Sequence, residues 1–490
     1  MERFDAVVIG AGVIGCAIAR ELSRFRLDAC VIEKEPDVAF GNSSRNTGML
    51  HAGFTYAPGS LKAICAVEGN REFDHVASEL DVAFRRSGKV VVGFTDRDRA
   101  NILKFMDIGM KNGVEGLKMV DKQQLHDIEP QARGEFALYS PMSGILDPIQ
   151  YTIALAENAH ANGVRFLFRT KVTGLNWCAQ TDEGFYRVIT NRGVIQSRWI
   201  INCAGMYSTD ISEMLGITGH VTKGFKGEYY VLDKRAAEGL RTPVYPAPNE
   251  KGGFSTHATI TVDGNVLVGP DSYITEGRED YATSSAHLAG LVRDGKKMFD
   301  NVKQEFFIRT FAGIRWKRVD PITGKVLDFV VERRDEAPQA VNLVGIESPG
   351  VTSALPLARR AIDKMREVED LEEDPAFSPE RAGIKRFCDA TLAQQRLLVE
   401  QDRAYGEIIC RCEMVTRAEI LAAIHNPLGA HTLASVKNRT RATMGRCQAG
   451  YCESRITALI RSELDADARD VCYQHEGSHM FTGDVRGGVR

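Results

Sequence analysis

Apolar positions change their spacing several times near the start of the chain. Residues 5–9 form a short run, apolar after Asp5, of strand length, 16–25 repeat their apolar positions at helical spacing, and 29–33 are apolar again up to the closing Glu33. Gly10, Gly12 and Gly15 separate the first run from the second, so the pattern predicts strand, glycine-rich turn, helix and strand, a βαβ unit. Residues 36–60 are rich in Gly, Ser, Asn and Pro and read as an ordered loop, and 61–80 read as a helix. Short strands then alternate with helices to about residue 330, with strands expected at 89–94, 164–168, 199–202 and 228–232. The opening plan recurs later, where a strand at 341–345 leads through SPGVTSALP into a helix starting near Thr352.

That pattern breaks at REVEDLEEDP, a charge run ended by Pro375. Residues 366–404 read as a solvated linker, 405–465 as a compact unit with its own cysteine pattern, and 466–490 as a polar, Gly-rich tail expected to be partly mobile. The hydrophobic fraction of 43% and charged fraction of 26% are those of a folded globular protein and exclude wholesale disorder, collagen or a small disulfide scaffold. A net charge of −3 offers no global field for nucleic acid or anionic lipid. The 11 cysteines, an odd number, point to a reducing compartment and a cytoplasmic protein. No secretory signal pattern and no long apolar stretch is visible, so membrane contact is expected only through partners.

The turn Gly10-Ala11-Gly12-Val13-Ile14-Gly15 is a GxGxxG placed between a strand and a helix, with Glu33 ending the next strand. Gly10 permits the tight turn, Gly12 lets backbone approach a pyrophosphate, and Gly15 lets helix and strand pack closely. The helix N-terminus faces the phosphates with free N–H groups, and Glu33 is placed to accept from ribose hydroxyls. Three features favour FAD over NAD: one such motif rather than two, the small and amide residues of GNSSRNTGMLHAG, and the late strand–turn–helix whose helix N-terminus could face a reduced flavin.

Cys410, Cys412, Cys447 and Cys452 form CxC…CxxxxC. Four thiolates at such spacing suit zinc or an iron–sulfur cluster, although zinc more often takes C-x2–4-C pairs. Lys437, Arg439, Arg441 and Arg446 stand close in sequence and are placed to offset the negative charge of a thiolate-ligated cluster. The other seven cysteines are scattered, and most of them read as buried thiols.

Residues 1–365 resemble the flavoprotein superfamily of D-amino-acid oxidase, glycerol-3-phosphate dehydrogenase and L-2-hydroxyglutarate dehydrogenase. The resemblance rests on SSRNTGMLHAGFTYAPGSLKA, FKGEYYVLD, VYPAP, DGNVLVGP and SPGVTSALP, in that order. It implies an α/β fold: a Rossmann-like FAD-binding domain (about 1–80, 150–215 and 335–365) interleaved with an α+β substrate domain (about 81–149 and 216–334). The fragments ICRCEMVTRAEI and KNRTRATMGRCQAGYC resemble the bacterioferritin-associated-ferredoxin-like domain, which implies a small C-terminal helical domain holding a [2Fe–2S] cluster on the four cysteines.

Carried over position by position, the resemblance gives the adenosine and pyrophosphate to Gly10, Gly12, Val13, Ile14, Gly15, Glu33 and Lys34. Ser43, Ser44, Arg45, Asn46, Thr47 and Gly48 line the cofactor loop. Val172 contacts the adenine region through its backbone, Ala204 and Gly205 form a small-residue turn beside FAD, and Gly350, Val351, Thr352 and Ser353 lie under the flavin ring. Similar enzymes place a histidine near the flavin at the positions of His51 and His257, either of which suits the base that takes a hydroxyl proton. A covalent flavin link through His51 stays open. Arg315, at the superfamily's Gly-x-Arg strand end, is the clamp for a substrate carboxylate or phosphate. Lys317 and Arg318 are expected in solvent, and Tyr229 is a candidate pocket hydroxyl.

The expected activity is dehydrogenation of a small anionic hydroxy compound, an L-2-hydroxy acid or sn-glycerol 3-phosphate. Hydride goes to the flavin and electrons leave through the cluster to a protein or quinone acceptor. An amino-acid or secondary-amine (opine-type) dehydrogenase subunit and a non-catalytic electron-transfer subunit are the alternatives. Chains of this kind imply a hetero-oligomer with a second flavoprotein subunit and a small cysteine-containing subunit.

Overall fold

The first strand, Arg3–Ile9, is buried on both faces except near its start, as a central parallel strand must be. It pairs in parallel with Ala29–Ile32 on one side and Gly193–Asn202 on the other. Arg165–Leu167 extends the sheet beyond the former and Ala340–Val344 beyond the latter, both parallel. An antiparallel strand, Val330–Glu332, closes that edge. The strands Val172–Cys178 and Phe185–Thr190 form a meander with the first half of Gly193–Asn202. In this computed structural model residues 2–179, 184–249 and 253–483 are described.

Helices Val13–Leu22, Pro148–Ala161 and Ala354–Arg366 share one apolar core with this sheet. The first helix comes close because Gly15 has no side chain: a Cβ there would lie 1.9 Å from the Gly10 carbonyl oxygen. The predicted helix at 16–25 thus starts and ends three residues earlier, because Val13 and Ile14 already bury against the turn and Ser23 caps the C-terminus.

A second, nine-stranded sheet draws its strands from Val90–Gly93 through Phe136–Tyr139 and from Thr222–Leu232 through Phe307–Arg318. Thr222–Leu232 and Phe307–Arg318 pair antiparallel over nearly their whole length. Its two contributing stretches alternate along the chain with those of the parallel sheet, so the lobes are interleaved. They meet where a Cβ on Gly313 would lie 2.0 Å from the Arg45 carbonyl oxygen.

The connector after Arg366 is more than a solvated linker. Arg26 N–H donates to Glu372 O at 2.9 Å, and Asp374 N–H to Arg24 O at 2.7 Å. Asn158 Nδ2 donates to Ser378 O and Glu380 O at 3.1 Å each, and Arg381 pairs with Glu157 at 2.5 Å. Exposed charges made the stretch look detached, yet its carbonyls satisfy buried donors of the large lobe. Beyond it, a hairpin of Ile408–Cys410 with Val415–Thr416 and helices Arg417–Ile424, Leu433–Thr440 and Glu453–Leu464 enclose a small core. The tail, expected to be partly mobile, folds back: Met480 N–H donates to Val471 O at 2.9 Å and Tyr473 N–H to Ser478 O at 2.7 Å. Its last residues, 484–490, lie outside the described residues. Among the described residues no helix is long and apolar enough to cross a membrane.

Gly15→Ala is expected to push the first helix off the sheet, costing about 1–3 kcal/mol. Urea unfolding measures the loss, and a lower flavin content after purification marks the displaced helix N-terminus.

Candidate active site

A cavity of about 1100 Å3 runs along the C-terminal ends of the parallel strands and under the second sheet. At one end Gly10, with φ +105°, leaves no room for a side chain, since a Cβ would lie 2.6 Å from Cys203 O. Val13 N–H at the helix start donates to Ser43 Oγ at 2.9 Å. Glu33 Oε2 accepts from Ala11 N–H at 2.7 Å and Oε1 from Glu35 N–H at 2.9 Å. Each oxygen keeps a lone pair for a ribose hydroxyl. Burial pushes the Glu33 carboxyl above its ordinary pKa, and the two N–H donors pull it back. Lys34 lines the cavity but is held by Glu279 and by Glu35 at 3.2 Å, with its ammonium 4.7 Å over the Tyr207 ring.

The cofactor loop braces itself. Asn46 Nδ2 donates to Ser43 O at 2.7 Å, Gly48 N–H to Asn46 Oδ1 at 2.9 Å, and Ser44 Oγ to Gly41 O at 3.0 Å. Ser43, Arg45, Asn46 and Thr47 thereby face the cavity, while Ser44 and Gly48 shape the loop from behind. Val13, Ile14, Val172, Ala204, Gly205, Gly350 and Val351 line it too. Thr352 and Ser353 are buried behind the wall, where Thr352 Oγ1 accepts from His51 N–H at 3.0 Å. Arg45 Nε, Tyr281 OH and Trp316 Nε1 are buried with no hydrogen-bond partner, and all three residues border the cavity. Buried polar groups are rarely left so, and a long ligand rich in acceptors answers all three. The length of the cavity, the side-chain-free turn and these orphaned donors fit FAD.

At the other end His51, Tyr229, His257 and Arg315 come together on the cavity wall. Tyr229 OH lies 3.2 Å from Thr47 Oγ1, and its ring stacks on Phe311 at 4.5 Å. His257 stacks on Tyr245 at 3.8 Å, with Nδ1 3.1 Å from Thr259 Oγ1. Arg315 Nη2 donates to Asp271 O at 3.3 Å and has no carboxylate partner among the described residues. Burial, reinforced by Lys89, drives His51 down to about 3 and His257 well below its ordinary value. Both imidazoles are therefore neutral at pH 7, the form a base requires. Lys317, expected in solvent, lines the cavity, and Arg318 packs under Gly345 and donates to Asp328 O at 3.2 Å. The long strand turns Lys317 toward the cavity and, one residue on, Arg318 to its other side against Gly345.

In the small unit Cys410 ends a strand, Cys412 follows in the turn, and Cys452 sits at the N-terminus of Glu453–Leu464. Left-handed residues Arg441, Thr443, Gln448 and Ala449 fold the intervening loop around the thiols. Thr443 N–H reaches both Cys410 and Cys452, and the free thiols of Cys412 and Cys447 are hydrogen-bonded to each other. The hydrogen bond from Cys452 lowers the Cys410 thiol below its ordinary range, toward the thiolate that ligates metal. Two thiol pairs suit a [2Fe–2S] core, in which each iron takes two cysteine thiolates, better than one zinc ion. Among the described residues no three His, Cys, Asp or Glu converge on a single-ion site. The expected cationic screen is largely spent: Arg439 pairs with Asp37, Arg441 with Asp263 at 2.7 Å and Arg446 with Asp233 at 3.5 Å. Lys437 has no carboxylate partner among the described residues.

Residues 5–364 match the FAD dependent oxidoreductase family, and 408–462 match the BFD-like [2Fe-2S] binding domain. The chain belongs to these FAD-dependent oxidoreductases. It is 35% identical to a glycerol 3-phosphate dehydrogenase of Caloramator mitchellensis, over 99% of this chain and 100% of that one. It is 28% identical to a mitochondrial L-2-hydroxyglutarate dehydrogenase of Nematostella vectensis, over 75% of this chain and 91% of that one. Among solved structures, the dithionite-reduced, FAD-bound L-alpha-glycerophosphate oxidase of Mycoplasma pneumoniae aligns with a TM-score of 0.71 and 26% identity, covering 78% of this chain and 99% of that one. The chain is thus an FAD-dependent dehydrogenase with FAD and a [2Fe–2S] cluster as its cofactors.

This flavoenzyme carries one site group that sequence reading missed. Lys89 is 1% exposed, and its ammonium sits 4.5 Å from the ring centroids of both Phe54 and Tyr245. Burial lowers it from 10.5 to about 7. A lysine opening a strand carries no signal of this, because the three aromatics around it (Phe54, Tyr245 and Phe254) come from distant segments.

Lys89→Met is expected to let both histidines bind protons more readily, so the acid limb of kcat/KM moves to higher pH. The unfolded chain binds more protons at Lys89 than the fold does between pH 7 and 10.5. Stability therefore rises with pH through that window, and the variant's gain in Tm is full below it and absent above it. A pH–rate profile and calorimetry across that range check both.

Proposed function

We propose that the protein oxidises the carbinol of sn-glycerol 3-phosphate to the ketone. The observation that carries this reading is an Arg315 guanidinium without a carboxylate partner, on the same cavity wall as two neutral imidazoles. A guanidinium binds a phosphate or carboxylate through paired hydrogen bonds and fixes the carbinol relative to the base. His51 or His257 takes the hydroxyl proton at a ring nitrogen, and Tyr229 orients the hydroxyl. Lys317 adds positive potential for a doubly charged phosphate. Bound FAD supplies the acceptor for the carbinol's hydride, and the cluster carries electrons singly to a protein or quinone acceptor.

Similarity over the whole chain, cluster unit included, to a glycerol 3-phosphate dehydrogenase supports the phosphate substrate. The second reading, an L-2-hydroxy acid such as 2-hydroxyglutarate, draws on the relatives that match the first three quarters of the chain. The proposal extends to a cytoplasmic hetero-oligomer with a second flavoprotein subunit and a small cysteine-containing subunit. Its support is the fusion of a two-electron centre with a one-electron centre.

Anaerobic addition of sn-glycerol 3-phosphate is expected to bleach the bound flavin, and L-2-hydroxyglutarate to bleach it far more slowly. The reverse order establishes the second reading, and no bleaching by either removes both. Arg315→Ala is expected to raise KM by about 10- to 100-fold with FAD still bound, the worth of a charged hydrogen-bonded pair. Steady-state kinetics with the flavin spectrum recorded on the same sample checks this.

A further inference from the structure

The loop after Ile32 walls the adenosine end of the cavity with Glu33, Lys34, Glu35 and Phe40. The small cysteine-bearing unit grips that loop at two points. Arg439 donates to both oxygens of Asp37, at 2.5 and 3.1 Å, and the two side chains are 2% and 1% exposed. His475 Nδ1 lies 2.6 Å from Glu35 Oε2, and its ring meets Phe40 edge-on at 6.4 Å. His475 and Glu476 themselves line the cavity. Both grips come from outside the stretch 5–364 that matches the flavoprotein family.

The grips share one support. Helix Leu433–Thr440 carries Arg439, and its first N–H groups hold the tail hairpin: Leu433 N–H donates to Cys472 O at 3.1 Å and Ala434 N–H to Tyr473 O at 2.8 Å. Leu433 and Val436 share a core with Cys410, Cys452 and Val471. The same helix runs through Arg441 into the loop that brings Thr443 N–H and Cys447 to the other thiols. So small a core depends on its metal ligands for order.

We propose that the cysteine-bearing unit completes the FAD site, and that cluster assembly and FAD retention are coupled. Ligation of the cluster orders the core, the core fixes helix 433–440 and the hairpin, and these hold the Glu35–Asp37 segment closed over the adenosine end. Without the helix in place, Asp37 is a buried charge without its partner, and the loop opens to hydrate it. Coupling of this kind is reciprocal, so bound FAD also protects the cluster. The inference concerns cofactor binding and is independent of which substrate is oxidised.

The test uses the full chain, purified anaerobically, with FAD affinity read from flavin fluorescence on dilution and cluster content from acid-labile sulfide. His475→Ala leaves every cluster ligand in place. It is expected to keep its sulfide and raise the FAD Kd about fivefold, the loss of one hydrogen bond of ordinary strength. Cys447→Ser is expected to lose its sulfide and weaken FAD at least as much, with the large lobe still folded by circular dichroism. Unchanged FAD affinity in His475→Ala overturns the proposal, whatever Cys447→Ser does. So does a sulfide-free Cys447→Ser protein that binds FAD like the wild type. Where Cys447→Ser yields no folded protein, His475→Ala alone decides.

Discussion

Backbone meets backbone at three places around the cavity, and the site depends on those contacts. A Cβ on Gly15 would lie 1.9 Å from Gly10 O, one on Gly313 2.0 Å from Arg45 O, and one on Gly69 1.9 Å from Thr352 O. The first keeps the helix N-terminus at the strand ends. The second rests the cofactor loop on the long strand Phe307–Arg318, which carries Arg315 within it rather than at its end. The third presses helix Leu61–Glu79 against the segment behind His51. Close-packed interiors cannot absorb an extra methyl at such contacts without moving whole elements.

Given those walls, the reactive end follows from charge and burial. Arg315, Lys317 and Lys89 give it a positive field, and the one nearby carboxylate on the wall, Glu347, is bound by Lys62 at 2.6 Å. That field suits the anionic substrate proposed above and at the same time disfavours protonated histidine. Under that proposal one arrangement serves binding and proton abstraction together. Its cost is a buried Lys89 that faces aromatic rings and has no carboxylate partner among the described residues, a weaker arrangement than an ion pair.

The small unit is joined to this machinery by more than the chain that leads to it. Arg441 pairs with Asp263, Lys234 reaches Glu413 at 3.0 Å, and Gln150 Nε2 donates to Asn438 O at 2.6 Å. The cations that looked like a screen for the cluster are therefore mostly mortar between the lobes. That placement fixes the distance between the two redox centres, which free movement of the small unit would blur.

Local pattern alone determined the βαβ unit, the glycine turn with Glu33, the cofactor loop and the CxC…CxxxxC set, because each is written in consecutive residues with their own spacing. The resemblance to a known flavoprotein superfamily, rather than local pattern, singled out His51, His257 and Arg315, with Tyr229 a candidate beside them, and the fold gathers the four on one wall from separate segments. Only the tertiary structure decided that Lys89 lies caged beside the histidines, that Lys317 turns inward, that residues 367–391 are strapped to the large lobe, and that His475 reaches the FAD cavity. These depend on what distant segments place opposite a side chain. A buried lysine and an exposed one have the same neighbours in sequence, and only packing tells them apart.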